Sequence, residues 1–142
     1  MTNKTVWSLV VVGLSLNLAV SPAQARSKAA DWLVQQQIAE ACDSGGTIDT
    51  GGVIERDLDG DGAADLIIAH DSIRCSNGRM SSFCGMQVCS VEFYLRRGKL
   101  LKNVGSMLGS GVEVEGGRVP KIFMNAHGGS RGSVRWNGTR FR

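Results

Sequence analysis

The chain has 142 residues, and its 16 Lys and Arg against 13 Asp and Glu leave a formal net charge of only +3. This length suits a single domain with a buried core, and we find no repeat with a period of 20–50 residues, which excludes solenoids and propellers. Nucleic acid is a poor candidate partner, because the first residues predict export from the cytoplasm.

Residues 1–25 have the three parts of a cleavable secretory signal. Lys4 provides a short positive start, residues 6–20 form an uncharged apolar run, and Ala23-Gln24-Ala25 matches the small-x-small pattern of a cleavage site. The apolar run is shorter than the roughly 20 residues that a membrane span needs. The alternative is an uncleaved N-terminal anchor. We therefore expect residues 26–142 to form one periplasmic or secreted domain, with no membrane span after cleavage.

Residues 28–42 predict a helix. Good helix formers fill this stretch, and its apolar residues recur at roughly helical spacing. These apolar residues are Ala29, Trp32, Leu33, Ile38, Ala41 and Cys42. Gly45-Gly46 follows, and glycine commonly lies just past the end of a helix.

Residues 57–65 contain the one motif that carries specific chemistry. Four carboxylates lie at the first, third, fifth and ninth positions of this stretch. Calcium prefers six to eight oxygen ligands, and a tight loop with acids at alternate positions can turn such oxygens toward one centre. Gly62 takes the sixth position, where calcium loops bend sharply. The predicted calcium ligands are Asp57, Asp59, Asp61, the backbone carbonyl of Ala63, and Asp65. The alternative is an acidic, glycine-rich turn that is merely solvated.

The stretch from Asp57 to Leu66, followed by two isoleucines, resembles the calcium loop of FG-GAP and related integrin-type β-propeller repeats. It is also similar to the first half of an EF-hand or dockerin loop. The EF-hand pattern ends at position 12, where Ile68 stands in place of a bidentate glutamate. We therefore expect a structural site of weak affinity, at about 10⁻⁴–10⁻³ M.

The resemblance to FG-GAP repeats implies that the loop joins two strands, at residues 53–56 and 66–69. Because the motif occurs once, it implies the loop and not the propeller. More loosely, the whole chain resembles small exported bacterial proteins that have no assigned function.

All four cysteines, Cys42, Cys75, Cys84 and Cys89, follow the predicted signal. An even number of cysteines in a small exported domain indicates disulfides, because the compartment is oxidising. A zinc site is the alternative, but no pair has Cys-x-x-Cys spacing. Of the three possible pairings we expect Cys75–Cys84 with Cys42–Cys89, because the first pair would close a local loop.

The rest of the chain predicts strands and turns. Residues 88–95 alternate apolar and polar side chains, and a turn at Arg97-Gly98 leads into a strand at residues 99–104. A second hairpin is predicted from residues 111–115 and 118–126, and a third within residues 133–142 around Asn137-Gly138. The expected fold class is α+β, with one N-terminal helix packed on a mainly antiparallel sheet of about six or seven short strands.

Residues suited to catalysis form no convincing constellation. His70 and His127 are the only histidines, and we expect both to be turn or surface residues. Ser130, His127 and Asp71 could be drawn as a triad, but no Gly-x-Ser-x-Gly sequence supports it.

Charge is distributed unevenly along the chain. Residues 26–95 contain 5 basic and 11 acidic residues, whereas residues 96–142 contain 10 basic and 2 acidic residues. We expect the two halves to pack together and partly offset one another; the alternative is a charged partner.

The C-terminal run could present a cationic, aromatic strip to an anionic partner. The strip would consist of Arg131, Arg135, Trp136 and Arg140. In the alternative arrangement, Trp136 and Phe141 anchor the last hairpin in the core and the arginines are solvated.

Together these features predict an exported calcium-binding domain that is not an enzyme and serves as a binding or accessory module. One alternative is a small hydrolase acting on a cell-envelope polymer or a phosphodiester, with His70 or His127 beside an acid in a pocket. A second alternative is a purely structural envelope protein.

Overall fold

The computed structural model describes residues 26–142, and the predicted signal at residues 1–25 lies outside this part. The described residues form one α-helix and eight β-strands. These elements are α1 Lys28–Ala41, β1 Gly46–Ile48, β2 Val53–Arg56, β3 Asp65–Ala69, β4 Ile73–Cys75, β5 Cys89–Arg97, β6 Leu100–Val114, β7 Ile122–Asn125 and β8 Arg131–Val134. Every strand pairing is antiparallel. The predicted α+β class is confirmed. None of the described helices is long and apolar enough to cross a membrane.

Local capping chemistry sets the ends of α1 close to the predicted bounds. The hydroxyl of Ser27 accepts a hydrogen bond from the backbone N–H of Ala30, as an N-cap serine does. At the other end, Cys42 already has extended backbone angles, although its N–H still donates to the carbonyl of Ile38. The helix therefore stops one residue before the predicted end.

Trp32 is one of the apolar residues at helical spacing in α1, but it lies outside the buried face of the helix. The helix buries Ala30, Val34, Ile38 and Ala41, whereas Trp32 is 62% exposed. Two residues along an α-helix correspond to about 200° of rotation. Trp32 lies two residues from both Ala30 and Val34, so it points away from the core.

The strands form two sheets, and both sheets contribute residues to the core that packs against α1. β1 and β4 form a two-stranded sheet, and the other strands form a six-stranded sheet in the order β2-β3-β5-β6-β7-β8. β3 is buried on both faces. Its Leu66 and Ile68 pack in the core under α1, while Ile67 and Ala69 pack in a second core on the opposite face. The six-stranded sheet is therefore covered on both sides at β3.

The strand β6 is one element of 15 residues, whereas the sequence predicts two short strands separated by a gap. Its first part pairs with β5 as far as Gly109, and from Ser110 onward it pairs with β7. A Cβ atom at Gly109 would lie 2.6 Å from the sulfur of Met124. The absence of a side chain at Gly109 leaves room for Met124, which is part of the second core.

The C-terminal hairpin completes the second core. Trp136 and Phe141 form an isolated antiparallel bridge on either side of the predicted Asn137-Gly138 turn. The buried ring of Phe141 stacks on Phe93 with 4.5 Å between ring centroids. The aromatic residues of this segment therefore anchor the hairpin, as the second of the two sequence-based alternatives predicts.

Both cysteine pairs are disulfides, but the predicted pairing is wrong. The bonds join Cys42 to Cys75 and Cys84 to Cys89. Cys42 follows the end of α1, which packs on β4, where Cys75 lies. Cys84 and Cys89 face each other as an isolated β-bridge. The local loop is therefore closed by the pair nearest in sequence, and not by Cys75 and Cys84.

Candidate metal centre

The acidic segment at residues 57–65 is the connection of a β-hairpin. β2 and β3 pair antiparallel, with Arg56 opposite Asp65, so the segment reverses the chain between them. Gly60 and Gly62 have φ angles of +85° and +88°. Side chains with a Cβ rarely adopt this left-handed region, so the glycines permit the tight turn.

Three of the predicted ligands converge in this turn. Asp57, Asp59 and Asp61 each have a carboxylate oxygen within 4.8 Å of the other two. Carboxylate oxygens are the hard donors that calcium prefers. These three residues could therefore hold a metal ion.

Backbone N–H groups hold the three carboxylates in place. The oxygens of Asp57 accept hydrogen bonds from Gly60 at 2.7 Å and from Gly62 at 2.9 Å. The Oδ1 atoms of Asp59 and Asp61 accept from the residues two positions later, at 3.1 and 2.7 Å. An ionised carboxylate has about four lone-pair sites, so each of these groups can still bind a cation.

Asp65 lies apart from this group and joins the loop to the sheet. It is fully buried, and its Oδ2 accepts from the N–H of Leu58 at 2.8 Å. Its Oδ1 accepts from the N–H of Arg96 at 2.7 Å. Both oxygens of this predicted ligand thus bind backbone groups. Ala63, whose carbonyl is the remaining predicted ligand, lies in the turn and donates its N–H to Asp61.

Burial raises the pKa of Asp65 above its usual value of 3.8. The hydrogen bonds from Arg96 and Leu58 lower this pKa, and the nearby charges of Asp59 and Asp61 raise it further. The ionised form is therefore disfavoured by its surroundings. A cation in the loop would favour it, because an opposite charge nearby stabilises a carboxylate.

Two arginines of the basic half reach the acidic loop, and the sequence offered no signal for them beyond the uneven charge. Arg97 donates through Nη2 to Oδ2 of Asp59 at 2.9 Å, and its Nη1 lies 3.5 Å from Oδ2 of Asp61. Arg118 donates through Nε to the carbonyl of Gly60 at 3.2 Å. The positive charge of Arg97 thus offsets part of the repulsion among the acids. Because both arginines belong to the basic half of the chain, these contacts also confirm that the two charged halves pack together.

His70 begins a short 3-10 turn, His70–Ser72, between β3 and β4, but its side chain is buried, so a surface position is wrong for this residue. Its Nε2 lies 2.8 Å from the amide oxygen of Gln37, which can only accept, and therefore carries the proton. Its Nδ1 lies 2.9 Å from the hydroxyl of Ser81, which donates to it. The ring of Phe83 packs edge-on against the imidazole at 4.9 Å. Burial lowers the pKa of His70 below its usual 6.5, and Asp71 partly opposes this shift.

The loose triad of Ser130, His127 and Asp71 is not assembled. His127 is exposed in a glycine-rich turn, and Asp71 accepts a hydrogen bond from the N–H of Gly111 at 2.8 Å. Within residues 26–142, no hydrogen bond joins His127 to Ser130 or to Asp71. Two cavities of about 470 and 540 Å³ are lined by other residues and contain neither histidine.

The predicted C-terminal strip is divided between two environments. Arg131 forms an ion pair with Glu113 and lies over the ring of Phe123, 5.6 Å from its centroid. Trp136 is half-buried, whereas Arg135 and Arg140 are exposed. The exposed positive charge of this strip is therefore concentrated on the last hairpin.

No family model, no curated protein and no solved structure matches this chain.

Replacing the buried carboxylate of Asp65 tests its part in closing the loop. In Asp65→Asn, the amide nitrogen cannot accept, so one of two backbone N–H groups loses its partner. We expect the free energy of unfolding to fall by about 1–3 kcal/mol, measured by urea unfolding in the presence of a chelator. Asp43→Asn, at an exposed position, is the control and should leave it unchanged. Equal unfolding midpoints for both variants and the parent would contradict this role.

The buried imidazole of His70 predicts a pH dependence of stability. Because its pKa is lowered in the folded state, the unfolded chain binds more protons below pH 6.5. The stability that depends on neutral His70 is present above pH 6.5 and is lost as the pH falls through 6.5 toward the folded-state pKa. When the free energy of unfolding is measured with urea at several pH values in this range, its slope against pH should be smaller for His70→Gln than for the parent. His127→Gln, which removes the exposed histidine, serves as the control, and equal slopes in His70→Gln and the parent would show that His70 does not govern this titration.

Proposed function

We propose that residues 26–142 form an exported domain that binds one calcium ion at the loop of residues 57–65. The observation that carries this proposal is the convergence of Asp57, Asp59 and Asp61 within 4.8 Å on a glycine-containing turn. These three residues would hold the ion, with the carbonyl of Ala63 as a further ligand. Asp65 would support the site indirectly, because its hydrogen bonds fix the start of the loop to β5. The bound ion would supply charge neutralisation and a cross-link within the loop.

The chemistry of the donors favours calcium over other common divalent ions. Zinc sites mostly use cysteine and histidine, and neither is present in the loop. Magnesium requires near-ideal octahedral geometry and is reluctant to lose water, whereas calcium accepts six to eight oxygens in flexible arrangements. Several carboxylates and one carbonyl on a single turn suit the coordination of calcium better than that of magnesium.

The guanidinium of Arg97 competes with a metal ion for the same oxygens. It contacts one oxygen each of Asp59 and Asp61, so a cation that uses both must displace it or share them. This competition supports an affinity at the weak end of the range, about 10⁻⁴–10⁻³ M, typical of extracellular calcium modules. Such a site is structural and would not act as a sensor of intracellular calcium.

The cysteines support the proposed periplasmic or secreted location. Both disulfides lie in the described part, and no cysteine there is free. Disulfides persist in oxidising compartments and are rare in the cytosol. Together with the proposed signal at residues 1–25, they favour a site of action outside the cytoplasm.

A non-enzymatic role agrees better with the surroundings of His70 than the hydrolase alternative does. A general base must reach a substrate proton, and both ring nitrogens of His70 are engaged inside the core by Gln37 and Ser81. The exposed arginines of the last hairpin, Arg135 and Arg140, are the better candidates for contact with an anionic envelope or extracellular partner. We therefore favour a binding or accessory module.

Calcium should stabilise the folded protein, and removal of one loop acid should abolish this effect. At ten to one hundred times the dissociation constant, the expected gain is about 1.4–2.7 kcal/mol. Asp59→Asn and Asp61→Asn should show little change in melting temperature between calcium and chelator. Asp43→Asn, an exposed acid outside the loop, should respond as the parent does. A parent protein that melts at the same temperature in both conditions would refute the site.

Removal of Arg97 should have the opposite effect on calcium affinity. Without this guanidinium, the acids of the loop repel one another more strongly and the ion meets no internal competitor. We expect Arg97→Gln to melt at a lower temperature in chelator and to bind calcium several-fold more tightly by titration calorimetry, since each factor of ten in affinity corresponds to about 1.4 kcal/mol. Arg135→Gln, on the last hairpin, controls for the loss of one positive charge. Unchanged or weaker binding by Arg97→Gln would show that the guanidinium does not compete.

A further inference from the structure

Two large apolar side chains from separate elements are exposed at the same place. Trp32 of α1 is 62% exposed, and Leu100, at the start of β6, is 63% exposed. Both line one shallow depression of about 150 Å³, together with Ala29, Leu33, Lys99 and Leu101. Single exposed apolar residues are common on protein surfaces, but a contiguous group often marks an interaction site. We refer to Ala29, Trp32, Leu33, Leu100 and Leu101 as the Trp32 patch.

The margin of the Trp32 patch is positively charged. Lys99 lines the depression itself, and Lys28 lies one helical turn before Trp32, on the same side of α1. Within residues 26–142, neither lysine forms an ion pair. The neighbouring acid Asp31 lies 3.7 Å from the guanidinium of Arg26, which offsets its charge. An anionic surface would therefore meet favourable charge at this patch.

We propose that the Trp32 patch docks the domain on the surface of an anionic phospholipid membrane. Tryptophan is enriched at the level of the lipid headgroups, where its ring is partly apolar and partly polar. Leu100 would reach the boundary between the headgroups and the acyl chains, and Lys28 and Lys99 would lie among the phosphates of the headgroups. This association is peripheral and reversible, and it does not depend on the calcium site.

The size of the patch favours a lipid surface over a protein partner. Its depression has about half the volume of the smallest typical ligand pockets, which begin near 300 Å³. A stable protein interface uses about 20–30 residues on each side, whereas this patch offers two large exposed side chains and their immediate neighbours. A bilayer requires no complementary cavity, because it accepts single side chains and binds through buried apolar area and charge.

Vesicle binding by the protein purified after export tests the proposal. The probes are vesicles of phosphatidylcholine alone and of phosphatidylcholine with phosphatidylglycerol in a two-to-one ratio, both with chelator present. We expect co-sedimentation with the anionic vesicles only, and a blue shift of tryptophan fluorescence that persists in Trp136→Phe, in which Trp32 reports. Leu100→Ser should weaken binding by about tenfold or more, the change expected from exposing one leucine.

Matched variants distinguish binding through the Trp32 patch from nonspecific hydrophobic adsorption. Leu108→Ser removes an equally exposed leucine (66%) from the same strand outside the patch and should bind as the parent does. Lys99→Gln should weaken binding and Lys99→Arg should retain it, and added salt should reduce binding of the parent. Lys99, Leu100 and Leu108 are all exposed, so circular dichroism should be unchanged in these variants.

Three results would overturn the proposal. The first is equal binding to neutral and anionic vesicles, and the second is equal loss in Leu108→Ser and Leu100→Ser. The third is an absence of binding to the anionic vesicles; concentration-dependent self-association that Leu100→Ser removes would then assign the patch to a second copy of the chain. Because chelator is present throughout, failure of the calcium proposal would leave these outcomes unchanged.

Discussion

The buried carboxylate of Asp65 is the constraint on which the arrangement of the candidate site depends. One of its oxygens accepts from the N–H of Leu58, whose side chain is itself fully buried, and the other accepts from the N–H of Arg96. A buried N–H without a partner is costly, so the start of the acidic loop and the end of β5 must both lie against this residue. Burial of this carboxylate is unfavourable in itself, but its two hydrogen bonds fix the position of the loop.

The end of β5 then connects the loop to the start of the described chain. The side chain of Arg96 donates to the carbonyl of Ala64 at 2.6 Å and to the hydroxyl of Ser27 at 3.1 Å. It also lies 3.7 Å from Glu55 of β2, in a mostly buried ion pair. Ser27 caps α1, so the same cluster holds the loop, two strands and the helix N-terminus. Removing one member of such a network costs more than its single hydrogen bond, because its neighbours lose partners as well.

Arg97 and Leu100 owe their positions to the same strand end. Arg97 follows Arg96 directly, and the network therefore brings its guanidinium onto Asp59 and Asp61. Three residues later the turn into β6 sets Leu100 beside Trp32. The β5–β6 hairpin thus contributes to both proposed sites: its Arg97 contacts two acids of the calcium loop, which lies between β2 and β3, and its Leu100 belongs to the lipid-binding patch. The acidic and basic halves of the chain meet at this hairpin, which explains why a sequence with such uneven charge can fold on itself.

Local patterns in the sequence determined the helix, the hairpin around the acidic loop, the strand at residues 88–95 and the spacing of the loop acids. Periodicity, capping and turn chemistry act over a few residues, and these features agree with the structure to within one or two positions. Only the tertiary structure decided that Cys42 pairs with Cys75, that residues 100–114 form one continuous strand, and that His70 is buried. It likewise decided that Trp32 faces solvent and that Arg97 contacts the acids. Each of these depends on which segments meet across tens of residues, and that choice is made by the packing of the whole chain, which no local pattern encodes.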